Sequence, residues 1–173
     1  MASISKNLNL ATVLDTEVYP IAVDYRKTIE QMIAEGEYDH VDGGITSYNF
    51  PVDVSLRQNN IQNIEMEMIS YDNDMYGRDV LRDFELRGLR PATIYELLTF
   101  GLTYKYYKFF DKEYVPSVVA LGSVGRRYRK GRRRDRHQEV PYIVCWISGR
   151  ELCLSWKGDK WSRGCRFAAI RIS

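Results

Sequence analysis

The chain has 173 residues, 45% hydrophobic and 28% charged, with 13 Tyr, 6 Phe and 3 Trp. That supplies one substantial core, is short for two, and excludes a disordered chain. The net charge of +2 excludes a uniformly basic nucleic-acid-binding domain. The start MASISKNLNLATVL lacks a basic segment followed by a long apolar run, and no apolar run approaches the roughly 18 residues of a membrane helix. The expectation is therefore a cytoplasmic protein without a membrane segment.

Leu8–Leu14 and Val18–Val23 read as two short strands, with turn chemistry at Asp15–Glu17 between them. Pro20 marks the second as an edge strand or as one that starts late, because proline has no amide to give to a neighbour. Asp24 is placed to cap a helix running to about Glu35, with Ile29, Met32 and Ile33 on its apolar side and Gly36 as its stop. Residues Asp39–Asn49 read as irregular. From Ile61 to Tyr71, Ile64, Met66 and Met68 alternate with Asn63, Glu65 and Glu67. That period of two predicts a strand with one buried and one wet, acidic face. Asp72-Asn73-Asp74 lacks the glycine and distal glutamate of a calcium loop and reads as the end of that strand.

Tyr76–Arg87 predicts a second helix, with Val80, Leu81 and Phe84 inward and Gly88 at its end. Thr93 and Glu96 have the spacing of a capping box. They open a third helix, reaching about Phe110, with Tyr95, Leu98, Leu102, Tyr106 and Phe109 down one face. This is the expected central helix. Its end, YKYYKFF over Tyr104–Phe110, reads as helix core rather than as a nucleic-acid platform. Ser117–Leu121 predicts a buried strand, and Gly122–Arg136 a long polar connection. Val140–Trp146 and Glu151–Trp156 predict a hairpin turning at Ser148–Gly149, Gly158–Ser162 a turn, and Arg166–Ile172 the last strand. The fold class expected is α+β: a single domain over 1–173, with about three helices and a mixed or mostly antiparallel sheet.

Cys145, Cys153 and Cys165 are odd in number and have no zinc-ligand spacing. Reduced, buried thiols are expected, with pairing of Cys145 and Cys153 across the hairpin left open. Trp146, Trp156 and Trp161 read as anchors of the C-terminal sheet.

Charge is the least uniform property of the chain. Residues 126–136 read RRYRKGRRRDR. Of 25 basic and 23 acidic residues in the chain, eight and one fall in this segment, leaving 17 and 22 elsewhere. The segment is thus +7 and the body −5. Arg126, Arg127, Arg129, Lys130, Arg132, Arg133, Arg134 and Arg136 are the candidate anion-binding residues of an Arg-rich loop over 124–139. Arginine offers forked donors matched to phosphate oxygens. Tyr128 among them has a face on which a base can stack.

The motifs RPATIYELL (Arg90–Leu98), VALGS (Val119–Ser123) and the WSRGCRFAAIR strand (Trp161–Arg171), with YPIAVDY (Tyr19–Tyr25) and AEGEYD (Ala34–Asp39), resemble a group of small bacterial proteins from candidate-phylum genomes. The resemblance implies coherence of the chain and points to no activity. A weaker similarity joins Arg90, Pro91, Thr93 and Glu96, with Trp161, Gly164, Arg166 and Phe167, to C-type-lectin-like folds of the formylglycine-generating-enzyme type. Here Ala92 is inserted and Cys165 replaces a phenylalanine. This similarity implies a ligand surface ahead of the last strand, for which Trp161, Arg163 and Arg166 are the candidate groove. The catalytic cysteines of that enzyme have no counterpart here.

Three functions follow. The first is a non-enzymatic binding module engaging an anionic partner (DNA, RNA or an acidic protein surface) through the Arg-rich loop. The second is a lectin-like ligand- or protein-binding domain. The third is a phosphate-substrate hydrolase or nuclease, which requires His40 and His137 to converge with carboxylates such as Asp39 and Asp42. No catalytic residue, metal set or cofactor is assigned.

Overall fold

The computed structural model describes residues 12–53, 56, 61–105, 117–127, 137–146 and 149–172. The expected features at Leu8–Ala11, Tyr106–Phe110, Tyr128–Arg136 and the turn residue Ser148 lie outside these.

The elements in chain order are β1 (Val13–Val23), α1 (Ile29–Gly36), β2 (His40–Val41), β3 (Gln62–Tyr71), β4 (Met75–Tyr76), α2 (Gly77–Leu86), β5 (Leu89–Pro91) and α3 (Ile94–Thr103). Then follow β6 (Ser117–Val119), β7 (Gly125–Arg127), β8 (His137–Trp146), β9 (Gly149–Trp156), β10 (Lys160–Trp161) and β11 (Cys165–Arg171). The main sheet runs β1-β3-β11-β6-β8-β9-β2, with β5 added to β11 and β7 to β8. Among the described strands, β11–β6 and β2–β9 are the parallel pairs within it. Strands β4 and β10 form a separate pair. Among the described residues, the elements form one α+β domain with helices α1, α2 and α3 and a mixed, mostly antiparallel sheet, as the sequence predicts.

Both faces of the sheet are covered. Tyr19, Ile21, Met66, Met68, Ala168 and Ile170 lie in one core with α1 and α3. Ile69, Tyr71, Phe167 and Ala169 lie in a second core with Val80 and Phe84 of α2. Alternation along β11 sorts Phe167 and Ala169 from Ala168 and Ile170, as expected. Trp161 joins the second core, edge-on to Tyr142 at 5.4 Å and to Phe167 at 6.4 Å between ring centroids. Trp146 and Trp156 depart from the expected anchoring role and are about half exposed, at 48% and 55%.

Helix α3 is the central helix. Every residue from Ile94 to Gly101 is buried, so it lacks the solvent face that one-sided spacing suggests. The carboxylate of Glu96 accepts the Thr93 amide at 2.6 Å, which is the glutamate half of the capping box. The same carboxylate accepts Tyr25 Oη at 2.8 Å and Arg90 Nη1 and Nη2 at 3.0 and 2.6 Å. Four donors satisfy this wholly buried group, as its burial demands. They tie the start of α3 to β5 and to the turn after β1. At the other end of α3, Arg150 donates from Nη1 to Gly101 O at 2.5 Å and from Nη2 to Gly36 O. One guanidinium thus serves carbonyls at the C-terminal ends of α3 and α1, where helix dipoles favour a cation. Its Cζ also lies over the Tyr38 ring, 4.9 Å from the centroid.

Several local expectations are corrected. There is no turn at Asp15–Glu17. Strand β1 runs through it, with a register irregularity between Val13 and Asp15. Its polar residues sit on an edge strand, where Asp15 accepts the Thr16 amide at 2.8 Å and Glu17 pairs with Arg166. Thr28, not Asp24, caps α1, in a capping box with Gln31. Asp24 instead holds Arg26 at 2.8 Å. Gly36 is the last helical residue, and Glu37 takes the left-handed turn at φ 53. Gly88 does end α2, at φ 67, a conformation glycine adopts at little cost. The acidic face of β3 is not uniformly wet, since Glu67 is buried and pairs with Arg171 at 2.7 Å. Cys145 sits opposite Arg150 and Cys153 opposite Tyr142. The odd offset puts the two thiols on opposite faces of the sheet, and all three cysteines are free.

Candidate functional site

The polar connection predicted over Gly122–Arg136 is partly strand. Gly125, Arg126 and Arg127 pair antiparallel with Glu139, Gln138 and His137. Strand β8 therefore starts at His137, three residues before the predicted Val140. Proline at 141 does not prevent this, and Ala120 donates to its carbonyl at 3.1 Å. The backbones of Arg126 and Arg127 lie in this ladder. Tyr128, Arg129, Lys130, Arg132, Arg133, Arg134 and Arg136 lie outside the described residues. The segment that contains them leaves the sheet at Arg127 and returns at His137, directly opposite in register.

Two features flank the foot of this hairpin. On the β7 side is a cleft of about 270 Å³, lined by Tyr25, Phe50, Val52, Tyr95, Ser123 and Val124 among others. Phe50 packs against Gly125, where any side chain would strike its ring. Ser123 Oγ accepts the Ile94 amide at 2.9 Å, which fixes the floor of the cleft to the start of α3. Burial raises the Tyr25 hydroxyl well above its ordinary range, and the adjacent Glu96 carboxylate raises it further. Tyr25 is therefore a neutral donor at physiological pH.

On the β9 side is Trp156, opposite Glu139, which is itself opposite Gly125. Two neighbouring strand spacings put the Trp156 and Gly125 backbones ~10 Å apart. The turn after Trp156 is tied down. Lys157 N donates to Gln138 O at 2.8 Å and Asp159 N to Trp156 O at 2.9 Å. The Ser155 hydroxyl donates to the Asp159 carboxylate. Gly158 lies under the indole, and a Cβ there would come within 2.7 Å of the ring. The ring is thus held from beneath while about half its surface meets solvent. Sequence reasoning placed Trp156 in the core. The signal available was its position as the last residue of a strand, followed at once by Lys-Gly-Asp.

The candidate groove residues do not share one environment. Trp161 is buried in the second core. Arg163 donates its backbone amide to Asp74 at 3.1 Å, and Arg166 pairs with Glu17 at 3.4 Å. The two histidines do not meet. His40 aligns with Glu151 and through it with Val144, whereas His137 lies seven residues away on the same strand, ~23 Å at the rise of a β-strand. Among the described residues, no group of three or more His, Cys, Asp and Glu side chains could hold a metal ion. Among them, too, no helix is long and apolar enough to cross a membrane.

Comparison of the chain with protein-family models, with curated proteins and with solved structures returns no match.

Proposed function

We propose that the protein is a binding module that engages the phosphates of a nucleic acid through residues 126–136. One observation carries the reading. Eight basic residues and one acidic residue are strung between two backbone positions, Arg127 and His137, that face each other in a strand ladder. The cations are thereby gathered at a single point of attachment on a body of net −5. Clustered arginine charge raises the local concentration of polyanions and speeds their capture, and its forked donors match phosphate oxygens. The negative body opposes wrapping of a duplex around the whole domain, which confines contact to the hairpin.

Binding of a fluorescent oligonucleotide at low and high salt tests the reading. Each phosphate neutralised contributes about −0.7 to the slope of log K against log salt on single strands and about −0.9 on duplex. Replacing Arg132, Arg133 and Arg134 together by alanine should make the single-strand slope shallower by about 2. Absence of binding to any DNA or RNA at low salt would overturn the proposal and leave an acidic protein surface as the partner to seek.

A further inference from the structure

We propose that the cleft between the start of α3 and residues 122–124 binds a small, uncharged aromatic molecule carrying a hydrogen-bond acceptor, to which Ser123 donates. Such a site stands apart from the arginine segment and holds whether or not the chain engages nucleic acid. Small-molecule sites are concave, mostly apolar and formed before the ligand arrives, with a few polar groups that set its orientation. The cleft has each of these properties. Its volume of about 270 Å³ lies just under the roughly 300–1,000 Å³ usual for drug-sized ligands, which suits a molecule built on a single ring. Tyr25, Phe50 and Tyr95 supply aromatic surface, and Val52, Ile94 and Val124 aliphatic surface. The Tyr25 and Tyr95 rings already pack together, 5.6 Å apart between centroids and inclined at 36°. A planar ring finds offset or edge-on contact against such walls.

The walls come from four separate stretches of chain, and each is held in place. Tyr25 is fixed by its bond to Glu96 at 2.8 Å. Phe50 is seated against Gly125, and its amide donates to Thr46 O at 3.0 Å. Gly122 donates to Ala92 O at 2.9 Å. It approaches the Pro91 and Ala92 carbonyls so closely that a Cβ would lie 2.6 Å from each oxygen. The turn carrying Ser123 is thus pressed onto the start of α3, and a ligand entering the cleft has little left to order.

Charge and hydrogen bonding select the ligand. Of the described lining residues only Asp53 carries a charge, and it is exposed, where solvent weakens ion pairing. A charged group carried into the apolar part would lose its water without gaining a close partner. The Tyr25 hydroxyl is already spent on Glu96. Ser123 is different. Its Oγ accepts the Ile94 amide at 2.9 Å, while its own hydrogen has no acceptor among the described residues. A serine hydroxyl donates as well as accepts. One bond therefore fixes Ser123, and the hydrogen remains for a carbonyl or ring nitrogen of the ligand.

Benzamide, benzoate and benzamidine share one shape and differ in charge, and toluene lacks the acceptor. The full chain, isotope-labelled, is titrated with each probe while backbone amide shifts are followed. Benzamide should bind saturably, with its largest shifts at Ile94, Ser123 and Val124, and the two charged probes should bind roughly tenfold more weakly. Ser123→Ala should weaken benzamide roughly fivefold and leave toluene unchanged. Val124→Phe and Val52→Phe, which fill the cleft from two different stretches of chain, should each abolish benzamide binding, with thermal melts to verify folding. Shifts that do not saturate, or that scatter away from the cleft, would overturn the site; so would undiminished binding in a folded filling variant. Tighter binding of benzoate or benzamidine would overturn the uncharged class. Equal weakening of benzamide and toluene by Ser123→Ala, or none, would overturn the role of Ser123. Should a filling variant not fold, the shift map of the parent decides the site.

Discussion

Replacing Glu96 by leucine removes the acceptor on which four donors converge. The side chain is 0% exposed, so no water reaches the space it leaves. Tyr25 Oη, 2.8 Å from the carboxylate, and the Thr93 amide, at 2.6 Å, would both lose a partner, and a stranded buried donor costs ~1–3 kcal/mol. Arg90 would lose its counter-ion. Its side chain is 40% exposed and can turn towards water, so its share lies at the low end. Breaking a fully buried pair costs ~3–5 kcal/mol, and the partial exposure of Arg90 brings the expectation to ~3 kcal/mol. In a chain of this size each kcal/mol moves Tm by about 2–4 °C, so the melt should fall by about 6–12 °C. Glu96→Gln keeps one carbonyl acceptor and should lose about half as much. Circular-dichroism melts and urea titrations measure this. Adding Arg90→Met to the leucine variant should restore part of the loss, because the uncompensated charge goes with it. A leucine variant melting within about 2 °C of the parent would refute the claim that this carboxylate locks α3 to the sheet.

The remaining expectations concern single groups. Tyr38 Oη is buried with no hydrogen-bond partner among the described residues, so Tyr38→Phe should leave stability unchanged or raise it by about 1 kcal/mol; a clear loss in a urea titration would reveal a partner. Burial pushes the Cys145 thiol up to about 11 and raises Cys153 and Cys165 as well. Native protein at pH 8 should therefore react slowly with a thiol reagent, release all three thiols in urea, and form no Cys145–Cys153 disulfide under mild oxidation. The hydrogen bond from Arg26 holds the Asp24 carboxyl down to about 2 against an ordinary 3.8. Its stabilising contribution is whole above the ordinary value and is lost as pH falls through 2. The melting difference between the parent and Asp24→Asn should accordingly shrink as pH falls from 4 to 2, and one that stays constant over that range would place its origin outside this ion pair.

What was legible in the sequence was whatever depends on local pattern and burial. Thr93 with Glu96 announces the start of α3 because the motif is satisfied within one turn. The same motif at Thr28 and Gln31 was equally present, but Asp24 is also a good cap, and only the fold shows that Asp24 is spent on Arg26. Alternation in β3 predicts its buried methionines. It does not predict that Ile69 and Tyr71 are buried on the other face, since that depends on where α2 packs. The two-residue strands β4 and β10 have no period to read, and each finds its strand partner in the other. The exposure of Trp156 was out of reach for a related reason. A tryptophan at a strand end reads as an anchor, and its exposure follows only from neither core extending over it.

The arginine segment and the body should be separable. Arg127 faces His137 in the ladder, so the nine residues between them can be exchanged for Asn-Gly, whose turn geometry matches the twist of two antiparallel strands. Shortening the loop from nine residues to two lowers the closure entropy by about 1 kcal/mol, and the exchange removes six of the eight cations. No described element loses a pairing: β7 keeps Gly125↔Glu139 and Arg126↔Gln138, and β8 keeps β6 and β9. The shortened protein should therefore melt at or slightly above the parent temperature and lose oligonucleotide binding at low salt. A variant that fails to fold would show instead that the negative body depends on the segment's charge. Residues 126–136 would then be a clasp on the protein's own acidic surface, and the anion they hold would be the domain itself.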